Sequence, residues 1–175
     1  MITTNGYAAI HMACERGHLE AVRSLVRAGA NVNRAVANEI GARPLHIAAK
    51  EGHAAIIDCL FAAGAKLEMV STQGATALHI ASKHGHLEAV RSLVRLGAVV
   101  DCRNTIGQDF TPLMIASQNG HKAVVAALLA AGADPRLATS DGLTSLHLSK
   151  HLKHPSVATL LEAKLAELRA GSSPK

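Results

Sequence analysis

The sequence predicts an all-α solenoid of stacked helical hairpins, and three observations carry that prediction. The stretch Gly-His-Leu-Glu-Ala-Val-Arg-Ser-Leu-Val-Arg stands at 17–27 and again, unchanged, at 85–95. Aligned on the residue that opens each apolar run, Ile10, Leu45, Leu78, Leu113 and Leu146 lie 35, 33, 35 and 33 residues apart, and self-similarity at a period of roughly 20 to 50 residues marks a repeat architecture. Within each period the apolar residues keep helical spacing: Val22, Ile57, Val90 and Val125 are followed three residues on by Leu25-Val26, Leu60-Phe61, Leu93-Val94 and Leu128-Leu129. That i, i+3, i+4 pattern is one face of a helix.

The first helix of each unit opens at the aligned apolar residue. One position on stand His11, His46, His79, Met114 and His147. Three positions on stand Ala13, Ala48, Ala81, Ala116 and Ser149, small enough for two helices to approach closely. Gly17-His18, Gly52-His53, Gly85-His86 and Gly120-His121 form a tight turn into the second helix. Gly29-Ala30, Gly64-Ala65, Gly97-Ala98 and Gly132-Ala133 end it, as glycine does at a left-handed C-cap. A polar connector of about a dozen residues leads onward. Two short helices cannot bury both faces alone, so the units must stack into one elongated body.

The cycle is clearest from Asp109 to Asp134, where Thr111-Pro112-Leu113 opens and Gly120-His121, Leu128-Leu129 and Gly132-Ala133-Asp134 follow. It resembles the ankyrin repeat, in about four and a half copies over nearly the whole chain. The resemblance implies an ankyrin-type solenoid, each unit two antiparallel helices and a short β-turn finger, that binds another protein on its concave face. The expected domain is a single solenoid over 1–170, with repeats at about 5–34, 35–68, 69–101, 102–136 and 137–170 and a flexible tail at 171–175.

Four units depart from the pattern. The first begins almost at its helix, with Ala8-Ala9 in place of Thr-Pro, yet keeps the ordinary apolar residues Ile10, Met12, Leu25 and Val26. A terminal unit normally carries a polar outer face, so the expectation is a piece of a longer array, or a monomer able to pair end to end through this unit. The second and fourth units carry two extra residues, within 34–40 and 106–110. The identical stretches fall in units one and three, so duplication of a two-unit block accounts for both facts. In the fifth unit Lys153-His154-Pro155 replaces Gly-His with one residue fewer, and Leu161, Leu165 and Leu168 continue a cap-like helix.

Hydrophobic residues make up 49% of the 175-residue chain and aromatics 2%, so the core is expected to be Ala, Leu, Val and Ile. A net charge of +5 invites nucleic acid or an acidic membrane surface as partner. Unit by unit the net charge is +2, −1, +1, +1 and +2, the last taken with the tail, so there is no basic block. Tyr7, Phe61 and Phe110 are too few to stack bases, and both partners are disfavoured. No apolar run is long enough to span a bilayer, and no basic-then-apolar leader is present. Cys14, Cys59 and Cys102 are odd in number and lack Cys-x-x-Cys spacing. They read as reduced thiols of an intracellular protein, cytoplasmic or nuclear.

Eight of the eleven histidines occupy the two repeat positions, which assigns them to hydrogen bonds that tie loop backbone within and between units. His84 and His86 are close but lack a third ligand, so no metal and no cofactor is expected. Glycines recur only as turns of the array, with no phosphate loop and no nucleophile elbow, so the chain is not expected to be an enzyme. Glu20 with Arg23, and Glu88 with Arg91, read as solvated helix pairs. Cys14 is expected to be packed, and Cys102 exposed without a partner base.

Binding is expected where repeat identity breaks down. The resemblance places the residues before the turn glycine on the concave side: Glu15 and Arg16, Lys50 and Glu51, Lys83 and His84, Gln118 and Asn119, His151 and Leu152. Tyr7, Ile40, Ala42, Gln73, Ala75, Phe110 and Leu143 join them from the fingers. Tyr7, Arg16 and Phe110 are the preferred anchors, since interface energy concentrates in buried aromatics and Arg; the other reading of Phe110 is that it fills its own lengthened finger. The expected function is therefore non-catalytic recognition of a protein partner, with a regulatory or substrate-recruiting module of a larger enzyme as the alternative.

Overall fold

The computed structural model describes residues 8–36, 41–105 and 109–170. Tyr7, Ile40, the finger tips at 37–40 and 106–108 and the tail at 171–175 lie outside the described residues. Ten α-helices are described: α1 Ala9–Glu15, α2 Leu19–Arg27, α3 Pro44–Glu51, α4 Ala54–Ala62, α5 Ala77–His84, α6 Leu87–Arg95, α7 Pro112–Gln118, α8 Lys122–Ala130, α9 Ser145–His151 and α10 Pro155–Ala170. Odd-numbered helices pack on one another as one layer and even-numbered helices as a second, so the chain is an all-α helical-hairpin solenoid. Outside the helices an antiparallel bridge joins Ala138 to Thr144.

The first helices start well without long caps because their third residue closes the turn. In α3 and α5 the ring Nδ1 of His46 and His79 accepts the backbone N–H of Arg43 and Thr76, at 3.3 and 3.2 Å. His11 and His147 do the same for Ala8 and Thr144, at 3.0 and 3.2 Å. This is the reciprocal half of a capping box. A nitrogen that accepts an N–H holds its proton on the other side of the ring. Accordingly Nε2 of His11, His46 and His79 donates to the carbonyls of Arg34, Met69 and Phe110, at 2.8, 2.8 and 3.1 Å. Each imidazole thus staples a helix start to the finger of the following unit.

A second set of rings ties the hairpin turns together. Nε2 of His53, His86, His121 and His154 donates to the carbonyls of Glu15, Lys50, Lys83 and Gln118 in the preceding unit, at 3.4, 2.7, 2.9 and 3.0 Å. The structural role expected for the repeat histidines is thereby observed at His11, His46, His53, His79, His86, His121 and His147, and His154 extends it. The expected shortening of unit five is corrected at the same place. Lys153 stands at the turn position itself, with φ 60° where the glycines have 72° to 78°. A lysine held in the left-handed region, rather than a deletion, makes the last turn.

Finger length follows the 35/33 alternation. Val36 N–H to Ala42 O at 2.8 Å and Asn104 N–H to Phe110 O at 3.0 Å close the long fingers, and Ser71 to Ala75 and Thr139 to Leu143, each 2.9 Å, close fingers two residues shorter. Side chains lock neighbouring fingers: Asn33 Oδ1 accepts Lys66 N–H at 3.0 Å, and Arg43 donates to Val70 O at 2.6 Å. Between the helix layers lies an aliphatic core of Leu45, Ile57, Leu60, Leu78, Leu93, Leu113 and Leu128, all buried. Burial of each such side chain is worth about 1.5–3 kcal/mol. Cys14 is fully buried within it, as expected.

Glu20 and Glu88 meet Arg23 and Arg91 at 2.7 and 2.8 Å on the second helices, with every side chain close to half exposed or more. Exposed pairs of this kind contribute at most a few tenths of a kcal/mol. Glu20→Ala is therefore expected to change unfolding free energy by less than about 0.5 kcal/mol in urea titration; a loss above about 1 kcal/mol would assign the pair a larger role.

Candidate functional site

The face carrying the fingers and first helices holds a groove of about 380 Å³ at its centre. Its floor is Ile80 of α5 and Ile115 of α7, with Ala42, Ser71, Gln73 and Ala75 from the fingers of units two and three and Asn104 from unit four. Lys50, Lys83 and His84 stand at its rim. Of the residues expected from sequence, the structure thus brings Lys50, Lys83 and His84 together, along with Ala42, Gln73 and Ala75. They converge because α3 and α5 present equivalent positions one unit apart, and because residues three and four apart on a helix share a face, which sets Ile80 beside Lys83 and His84. Ile80, Ile115 and Asn104 were not foreseen. For Ile80 the signal was available in that spacing.

The other expected residues lie elsewhere. Glu15 and Arg16 are exposed at the end of α1, and Glu51 pairs with Lys50 at 3.0 Å. Gln118 is half-buried, while Asn119 folds back, its amide donating to Ile115 O at 2.8 Å. His151 joins Leu143, His147 and Leu148 around a separate space of about 420 Å³ on unit five, and Leu152 is exposed at the end of α9. Phe110 requires correction as an anchor. It is 8% exposed and packs on Met114 and Leu148, with Ile115 and Leu137 alongside. Its backbone explains why: Phe110 N–H bonds Asn104 Oδ1 at 2.7 Å and its carbonyl takes His79 Nε2, so the closing end of the finger is held with the ring turned inward. Phe110→Leu is expected to lower stability by about 1 kcal/mol and leave partner binding unchanged; unchanged stability with lost binding would restore the anchor.

Cys102 is also corrected. It is half-buried, with its thiol 3.8 Å from His79 Nδ1 and 3.7 Å from Thr76 Oγ1. A cysteine beside an imidazole invites a nucleophile, but the lone pair of that nitrogen already serves Thr76 N–H. Burial pushes the thiol up to about 11, the opposite of activation. Cys14 is pushed up to about 12 by burial. All three cysteines are free thiols. His84 stacks on His86 with ring centroids 6.1 Å apart. Partial burial, then His86, Lys83 and Lys50, hold its imidazole below 6.5, with Glu51 acting against them. Among the described residues no three His, Cys, Asp or Glu side chains converge to hold a metal ion, and no helix is long and apolar enough to cross a membrane.

The opposite face has a groove of about 500 Å³ between α2 and α4, with Arg23, Arg27, Asp58 and Cys59 on its walls. Its acidic group is already engaged, since Asp58 accepts both Ser92 Oγ and, at 2.7 Å, Arg95.

Hairpins stacked in register, glycine turns, histidine staples and interlocked fingers define a helical-repeat solenoid. The chain belongs to the ankyrin repeat family, whose model matches at 1–71, 45–139 and 78–170. It is similar to protein phosphatase 1 regulatory subunit 27 of Homo sapiens, 37% identical over 73 residues, covering 42% of this chain and 46% of that protein. It is also similar to palmitoyltransferase AKR1 of Kluyveromyces lactis, 42% identical over 67 residues, 38% of this chain and 9% of that one. A third relative is the ankyrin repeat-containing protein ITN1 of Arabidopsis thaliana, 39% identical over 62 residues, 35% of this chain and 10% of that one. The matched segment spans less than half of each of these relatives.

Proposed function

We propose that this chain, as one solenoid over 1–170, is a non-catalytic module that binds a partner protein on the face carrying the fingers and first helices. The observation that carries the reading is the central groove, where an aliphatic floor at Ile80 and Ile115 meets a polar rim on a scaffold whose fingers are locked by hydrogen bonds. An apolar centre with a polar rim is the anatomy of a recognition surface. Membership of a family of protein-binding solenoids supports it. Similarity to a phosphatase regulatory subunit favours the second reading, a regulatory or recruiting module of a larger enzyme assembly. Both use the same surface.

The test places a photo-crosslinking amino acid at Gln73, beside the groove, or at Ala126, on the exposed outer side of α8. Discrete protein adducts from position 73 and none from 126 are expected in cell extract. Adducts from 126 alone would move the site to the convex face and sink the proposal.

A further inference from the structure

We infer that the central groove takes an extended acidic segment of the partner, with one carboxylate at Lys83 and His84, a second at Lys50, and an aliphatic side chain beside them on Ile80 and Ile115. This rests on the concave-face reading above and names the chemistry of its ligand. Lys50 and Lys83 occupy equivalent positions of consecutive units, which places them roughly 8–10 Å apart at the usual helix-packing distance. Residues two apart on an extended chain share a face and lie about 7 Å apart, so carboxylates at i and i+2 reach the two ammonium groups on their flexible four-carbon stems.

The charge balance points the same way. Lys83 gives its carbonyl to His121, and its ammonium meets no carboxylate among the described residues. Lys50, itself exposed, pairs at 3.0 Å with its half-buried neighbour Glu51, a partly solvated contact of modest strength. His84 faces the ammonium groups of Lys83 on its own helix and Lys50 at the end of α3, and the ring of His86 before α6 stacks on it. Glu51 is the acidic group acting on it. A rim with more cations than anions around an aliphatic floor is complemented by an anionic segment carrying an apolar residue.

A carboxylate beside His84 also makes protonation of that ring easier, so the complex takes up a proton and tightens as pH falls. That signature separates this site from general attraction to a basic protein.

A random 12-residue peptide library displayed on phage would be selected on the intact chain at pH 7. The selected pool is expected to carry Asp or Glu at i and i+2 beside Leu, Ile or Val. The best synthetic peptide should bind Lys83→Glu at least about tenfold more weakly and Lys83→Arg nearly normally. Its affinity should rise about threefold from pH 7.5 to 6.0, and His84→Gln should abolish that rise. These positions are exposed, and circular dichroism verifies that each variant is folded. A neutral or basic pool, an unenriched library, or acidic peptides indifferent to Lys83→Glu would overturn the inference. A neutral pool that blocks crosslinking from position 73 would overturn this inference alone, whereas crosslinks confined to position 126 would overturn both.

Discussion

Acidification from pH 7 to pH 4.5 is expected to destabilise this solenoid steeply, because imidazoles that must stay neutral are built into its joints. His46 is the strongest case. Burial holds it down to about 4 against an ordinary 6.5, in spite of the helpful Met69 carbonyl. His11 and His79 are lowered for the same first reason. Between the two values the unfolded chain binds the proton and the folded chain does not, so stability rises with pH there. The contribution is complete above about 6.5 and is lost as pH falls towards 4. For His46 alone the window corresponds to about 3 kcal/mol. Asp134, whose carboxyl the Arg136 guanidinium holds below 3.8, titrates beneath this window. Protonation puts a second donor against Arg43 N–H, where Nδ1 now accepts. Urea titrations at half-unit pH steps would measure the slope, and His46→Gln should flatten it even though that variant starts less stable at pH 7.5. A wild-type slope near zero between pH 6.5 and 4.5 would show that these rings open to solvent before they titrate.

Much of this architecture was legible because it repeats. The glycine turns, the histidine positions, the apolar faces and the two-residue finger insertions each recur at a fixed offset, so a reading of one unit is checked by the next. What escaped was the content that occurs once. Lys153 hides a turn because no side-chain pattern announces a positive φ on a lysine, and with it went the role of His154. Phe110 looked available because it ends a long connector, yet its ring direction depends on Asn104 and His79, which lie 6 and 31 residues away. The contact of Cys102 with His79 spans 23 residues and two units. The groove was half legible. Lys50, Lys83 and His84 stand out as varying residues at a fixed position, whereas Ile80 and Ile115 resemble ordinary core until the stacking leaves them part exposed.

Gly52→Ala is expected to lower stability by about 3 kcal/mol, whereas Gly29→Ala, at an equally left-handed position, should cost about 1. Both backbones need positive φ, 78° and 81°. The difference is space. A Cβ on Gly52 would stand 2.7 Å from His86 Nδ1 and 2.8 Å from its Cγ, while one on Gly29 meets nothing within 4 Å. The new methyl therefore evicts the ring whose Nε2 donates to Lys50 O at 2.7 Å, and one tie between units two and three is lost with the strain. Because both effects run through one imidazole, Gly52→Ala and His86→Ala must be non-additive. His86→Ala should cost less in the Gly52→Ala background than in the wild type, since the tie is already broken and truncating the ring relieves the clash. Additive losses in that double-mutant cycle would show that the glycine is needed for its φ alone, and that the close approach of the ring plays no energetic part in holding one repeat to the next.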